Sequence, residues 1–146
     1  MASALAGVIG LALILTTVAV HYEALRLLGR AMAGSRMRPR VKVLLVILGC
    51  IAAHLVEILI YAAAYGLVLR SPSLGNIEGL FTGTATELIY FAMTSYTTLG
   101  IGDVYPTGPL QLIVGMASLN GFLLITWSAS FTYLVMQRYW HPELED

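Results

Sequence analysis

The chain has 146 residues, about one domain's worth, of which 58% are hydrophobic and only 11% charged, and its mean hydropathy is +0.82. Soluble domains run nearer to about 45–50% and about 25%, so the composition excludes intrinsic disorder and an ordinary soluble domain. Eight basic residues against eight acidic ones leave no basic excess for nucleic acid, and the lone Cys50 excludes an intrachain disulfide. An integral membrane protein remains.

Residues 1–22 and 104–137 lack Asp, Glu, Lys and Arg, and 43–69 is interrupted only by Glu57. A helix needs about 20 mostly apolar residues to cross the hydrocarbon core. This predicts spans at 4–28, 41–69 and 109–138. Runs such as Leu11-Ala12-Leu13-Ile14-Leu15 do not alternate, which argues against barrel strands. The first apolar run is followed by Arg26 and Arg30 rather than preceded by basic residues, which is not the pattern of a signal peptide. The first span is expected to pack outside the second, facing lipid.

The few charges give orientation. Arg26, Arg30, Arg36, Arg38, Arg40 and Lys42 crowd around the loop between spans one and two, Arg138 ends span three, and only Arg70 lies at the opposite end. The positive-inside rule places the 29–40 loop and the C-terminus in the cytoplasm, with the N-terminus and 70–108 outside. Arg36, Arg38 and Arg40 read as a topology signal, and such a block can also bind anionic lipids. Tyr139-Trp140 sits where an interfacial aromatic anchor would.

The segment 70–108 is neither a span nor a simple loop. Arg70-Ser71-Pro72-Ser73-Leu74-Gly75-Asn76 is turn chemistry. Thr84-Ala85-Thr86-Glu87 fits a capping box. The apolar run Leu88 to Met93 that follows is too short to cross, which predicts a re-entrant helix. Behind it, Gly100 and Gly102 flank Ile101 and permit a backbone that alternates between left- and right-handed conformations. Successive carbonyls can then point one way, and four copies around an axis would stack rings of oxygens able to replace an ion's hydration shell.

Thr97-Thr98-Leu99-Gly100-Ile101-Gly102-Asp103-Val104-Tyr105-Pro106 resembles the selectivity filter of the potassium-channel pore family, in particular bacterial channels related to the two-pore-domain potassium channels. The resemblance covers residues 41–139 in the order outer helix, turret, pore helix, filter and inner helix; it leaves 1–40 as an added helix with a basic loop and 140–146 as a short tail. It implies an all-α channel in a bacterial inner membrane, with potassium as the transported ion and no organic cofactor. It further implies that the carbonyls of Thr98, Leu99, Gly100 and Ile101 coordinate K⁺ and that the Thr98 hydroxyl forms the innermost ring. Gly100 and Gly102 would allow the conformation, and Asp103 would stand at the outer mouth. Two residues depart from the family. Ile101 replaces the usual Tyr or Phe, which puts filter rigidity in question. Thr94 stands where some relatives carry a Glu bonded to the filter Asp, so Asp103 must find another partner or remain solvated.

One pore loop per chain implies a homotetramer with cyclic symmetry. In span three, Gly121 is either a close-packing position or a gating hinge, and Asn120, Thr126 and Ser130 either line an aqueous cavity or bond to neighbouring helices. In span two, His54 and Glu57 share a face with Cys50, Tyr61 and Tyr65. The pair is either a proton-sensing gate or an internal tie to span three or the pore helix. No span carries regularly spaced Arg or Lys, so a voltage sensor is not expected, and the stretch after Arg138 is too short for a regulatory domain.

The function expected is a passive K⁺-selective channel. A weakly selective cation channel and a non-conducting scaffold or accessory subunit are the alternatives. An enzyme is not expected: no nucleophile–base pair or metal cluster stands out, and His21, His54 and His141 are scattered along the chain. Inverted repeats of a secondary transporter are not found. Glu78, Glu87 and Asp103 face only Arg70 across the external segment, so a negative entrance that concentrates cations is expected.

Overall fold

The structure, a computed structural model, describes residues 1–140, with the Trp140 side chain and residues 141–146 outside the description. The expected short tail and His141 therefore lie outside the described residues. Three long helices run through it: α1 (Ala2–Ala33), α2 (Pro39–Val68) and α4 (Leu110–Trp140). Between the last two lie a 3₁₀ turn (Pro72–Leu74), a strand β1 (Ile77–Gly79), a short helix α3 (Ala85–Tyr96) and a strand β2 (Val104–Pro106). All three long helices are apolar enough to cross a membrane. At about 1.5 Å per residue, their 32, 30 and 31 residues exceed the roughly 30 Å of a hydrocarbon core. The expected spans fall inside these helices to within one residue at each end, and α1 runs past its span to Ala33 through a last stretch that carries Arg30.

Two clusters of buried side chains mark the ends of the bundle. At one end Ala6 of α1 joins Tyr61, Tyr65, Phe91, Tyr96, Leu110 and their neighbours, so the start of α1, the end of α2, the short helix and the start of α4 come together. At the other end Leu25 and Met32 meet Val46 and Cys50, with Phe131, Val135 and Tyr139 against them. There the Lys42 ammonium lies 4.4 Å from the centroid of the Tyr139 ring, and the Tyr139 hydroxyl donates to the Met32 carbonyl at 3.2 Å. Tyr139 thus fastens three helices, beyond the interfacial role its position suggested.

The first helix does not pack against the second alone. Its buried stripe (Ala6, Gly10, Thr17, His21, Leu25 and Met32) lies against both α2 and α4. Asn120 of α4 donates through Nδ2 to Thr17 Oγ1 at 2.8 Å and to the Tyr61 hydroxyl at 3.1 Å. Gly10 lets α1 approach so closely that a Cβ there would stand 2.6 Å from the Met116 sulfur. Polar Thr17 and His21 are costly to leave in hydrocarbon, and this arrangement gives both a partner. Leu11 and Leu15, on the opposite face, remain exposed as a lipid-facing side requires.

The all-α expectation holds for the bulk of the chain, with one small addition. β1 and β2 pair antiparallel, with Glu78 opposite Tyr105. Leu80 N–H donates to Asp103 O and Thr107 N–H to Asn76 O, each at 2.8 Å, which extends the ladder at both ends. This clamp joins the chain before α3 to the chain after residue 103. Three-residue strands offer no periodicity to read in a sequence.

Tyr65 is fully buried, yet its hydroxyl has no hydrogen-bond partner among the described residues. An unpaired buried hydroxyl costs about 1–3 kcal/mol. Tyr65→Phe is expected to leave thermal stability unchanged or raised in a detergent melt, whereas Tyr61→Phe, which leaves Asn120 short of an acceptor, is expected to lower it.

Candidate functional site

The short helix α3 starts where its sequence signal stands. Thr84 Oγ1 accepts from Glu87 N–H at 3.3 Å, and Glu87 Oε2 accepts from Thr84 N–H at 3.0 Å, the two halves of a capping box. Glu87 also accepts from Thr82 N–H at 2.9 Å. The backbone N–H of Thr84, followed by that of Thr82, holds the Glu87 carboxyl down at about 2. A carboxyl depressed in the folded state contributes stability that is present above its ordinary value of 4.5 and is lost as pH falls through about 2. The melting temperature of wild type minus that of Glu87→Gln is therefore expected to stay constant from neutral pH to about 4.5 and to shrink steadily below it. A constant difference down to about pH 2 would contradict this role.

The other end of α3 is gripped from two sides. The Tyr96 hydroxyl donates to Glu57 of α2. Ser118 of α4 donates to the Ser95 carbonyl at 2.8 Å. Gly121 of α4 lies against the Tyr96 backbone, where a Cβ would stand 2.1 Å from the carbonyl oxygen. Asn120 points into the bundle and bonds to α1 and α2, while Thr126 and Ser130 are exposed and bond back to Phe122 O and Thr126 O of their own helix.

The chain leaves this anchored end in an unusual conformation. Thr98, Gly100 and Gly102 have φ of 59°, 50° and 92°, and Leu99 and Ile101 between them do not share the sign. Thr98 is the one non-glycine residue with positive φ among the described residues. A threonine held in that region is strained, and such strain persists only where the surroundings impose it. Here Thr98 N–H donates to Ser95 O at 3.1 Å and Gly100 N–H to Thr94 O at 3.2 Å, which draws the amides back onto the helix end. The carbonyls of Thr98 to Gly102 accept no backbone hydrogen bond among the described residues. A run of unused carbonyls on an exposed, alternating backbone, at the C-terminal end of a helix that carries about half a negative charge, is suited to hold a cation.

Asp103 follows this run and has found a partner that its sequence neighbours did not announce. Tyr90, on α3, donates to Asp103 Oδ2 at 2.9 Å, and Val104 N–H donates to Oδ1 at 3.1 Å. Tyr90 therefore does the bracing that Thr94 cannot. Thr94 is buried and donates to Phe91 O. Behind the alternating segment lies a cavity of about 340 Å³ bordered by Phe91, Thr94, Val114 and Ser118.

A second polar group sits deep between the helices. His54 Nδ1 lies 3.1 Å from Glu57 Oε2, as their spacing suggested. His21 was not expected there, but its Nδ1 lies 2.8 Å from Glu57 Oε1, with both side chains fully buried. The histidines are thus not scattered: two of them converge on one carboxylate, their rings 5.1 Å apart. Burial explains this, because a carboxylate within a membrane helix needs donors from whichever helices touch it.

No curated protein and no solved structure matches the chain significantly. A family model described as "Ion channel" matches residues 53–138, more than half of the chain, from the middle of α2 to the last turn of α4. Its span contains the short helix, the alternating segment and the strand clamp. The chain therefore belongs to this ion channel family and is a multi-pass membrane protein.

Proposed function

We propose that the protein is a passive potassium-selective channel, built as a homotetramer in a bacterial inner membrane. The observation that carries this reading is the positive φ at every second residue, Thr98, Gly100 and Gly102, together with the unused carbonyls along that run. In a fourfold assembly the carbonyls of Thr98, Leu99, Gly100 and Ile101 would form stacked rings around K⁺. Asp103, braced by Tyr90, would stand at the outer mouth. The short helix α3 would be re-entrant, directing its negative end toward the ion's path. Residues 41–139 would form the pore module, with 1–40 added to it and 140–146 as a tail. The N-terminus would lie outside and the 29–40 segment inside, where Arg36, Arg38 and Arg40 would meet anionic headgroups. Gly121 and the His54–Glu57 pair, which hold the base of the filter, are the positions at which gating would act.

A cation channel with weak K⁺/Na⁺ discrimination is the second reading. It is favoured by Ile101, which is 61% exposed within the chain and has no polar group to brace the filter sideways. Purified protein in liposomes is expected to pass K⁺ much faster than Na⁺, and Gly100→Asp to abolish both fluxes. Equal K⁺ and Na⁺ fluxes would select the second reading. Absence of flux from monodisperse wild-type tetramers would overturn both in favour of a scaffold or accessory subunit.

A further inference from the structure

We infer that His21, His54, Glu57 and Tyr96 form a binding site for a divalent transition metal of the Zn²⁺ class, separate from the filter. The three helices α1, α2 and α3 supply the ligand atoms. One ring nitrogen each of His21 and His54 and a Glu57 oxygen lie within 4.8 Å of one another; both Nδ1 atoms face Glu57, and Tyr96 OH is 2.9 Å from His54 Nδ1. In a tetrahedral site with bonds of about 2.0–2.2 Å, neighbouring ligand atoms stand roughly 3.3–3.5 Å apart. The present contacts of 2.8, 3.1 and 2.9 Å are hydrogen-bonded, the first two to different Glu57 oxygens, so a bound metal would replace them and spread the four groups apart.

The hydrogen-bond inventory points the same way. Both Nε2 atoms face a single hydroxyl: Ser128 Oγ is 3.0 Å from His54 Nε2 and 3.3 Å from His21 Nε2. With no metal and both Nδ1 atoms donating to Glu57, two neutral rings turn two lone pairs toward one Ser128 proton. One ring nitrogen is then unsatisfied, and only a tautomer in which His54 Nδ1 accepts from Tyr96 OH, taking that proton from Glu57, relieves it. With a metal on the Nδ1 lone pairs, each ring carries its single proton on Nε2. The two lone pairs of Ser128 Oγ then accept both N–H groups. A serine that receives the outer N–H of two ligating histidines is the kind of second contact that orients metal-bound imidazoles.

A monovalent alkali ion would not select two imidazole nitrogens, which suit zinc and its neighbours. An approach exists: the His54 side chain is 17% exposed and borders a groove with Cys50, Thr132 and Tyr133. Occupied, the site would fasten α1 and α2 to the residue that immediately precedes the filter.

The full-length protein, washed with EDTA in detergent, is loaded with Zn²⁺, desalted and assayed for metal per chain. In parallel it is titrated with Co²⁺, whose visible absorption reports coordination number. One Zn²⁺ retained per chain and an intense tetrahedral Co²⁺ band are expected. His21→Gln and His54→Gln are expected to lose both signals. Ser128→Ala, which removes no ligand and keeps the rings packed, is expected to weaken Zn²⁺ affinity by about 10–100-fold. Retention no greater than in monodisperse His54→Gln, an octahedral Co²⁺ spectrum, or unchanged affinity in Ser128→Ala would each overturn the site. The first of these results would leave an imidazolium–carboxylate network in its place. None of these readouts depends on ion conduction, so the result stands apart from the channel reading.

Discussion

Glu57→Ala is expected to destabilise the protein by about 3–5 kcal/mol, the cost typical of removing one partner from a buried charged network. Glu57 is fully buried and receives His21 at 2.8 Å, His54 at 3.1 Å and the Tyr96 hydroxyl. Its loss strands three polar side chains from three helices at once. Glu57→Gln keeps the shape and an acceptor oxygen but not the charge, so a smaller loss of about 1–3 kcal/mol is expected. Denaturant or thermal unfolding of the purified protein measures both. A Glu57→Ala protein within about 0.5 kcal/mol of wild type, the range of ordinary surface substitutions, would show that the cluster holds nothing together.

Gly121→Ala is expected to be the most damaging single methyl addition in α4. The new Cβ would meet the Tyr96 carbonyl oxygen at 2.1 Å, its carbon at 2.9 Å and the ring at 2.9 Å. These are backbone and ring-root atoms, so no flexible side chain can swing aside. Tyr96 cannot retreat either, since its hydroxyl is tied to Glu57 and Ser118 holds the preceding carbonyl. Overpacking of this kind costs about 1–3 kcal/mol. The displaced backbone leads directly into the alternating segment, so conduction should fall further than stability. Gly115→Ala is the matched control. A Cβ at Gly115 meets nothing within 4 Å, and alanine is favoured over glycine in a helix by about 1 kcal/mol. Gly115→Ala is therefore expected to be neutral or stabilising. Equal stability of the two variants, with only gating altered in Gly121→Ala, would identify Gly121 as a hinge rather than a contact point.

What could be read in advance was local. Charge-free runs located the three long helices because a membrane core tolerates few charges along one segment. The Thr84–Glu87 cap was legible because both its partners lie within one turn. The His54–Glu57 contact followed from three-residue spacing on one helix. What escaped notice joins distant segments. His21 meets Glu57 across 36 positions, and Tyr90 meets Asp103 across 13. A signal for the first was present: Ala6, Gly10, Thr17 and His21 recur at four- and seven-residue intervals, small and polar residues on one face of an otherwise aliphatic helix. That stripe marks a helix packed against both α2 and α4 rather than against the second span alone, while its other face stays exposed. The partner of Asp103 carried no comparable mark, because a tyrosine on a short helix reads equally well as packing. The strand clamp was invisible because three residues are too few to show an alternation.

The backbone alternation at residues 98–102 matters to the ion only if four copies face one another. The most direct measurement is the reversal potential of the reconstituted protein in a planar bilayer with K⁺ on one side and Na⁺ on the other. A potassium filter built from the carbonyls of Thr98 to Ile101 predicts a potential displaced far toward the K⁺ equilibrium value and current lost in Gly100→Asp. A reversal potential near zero, with current persisting in Gly100→Asp, would contradict it.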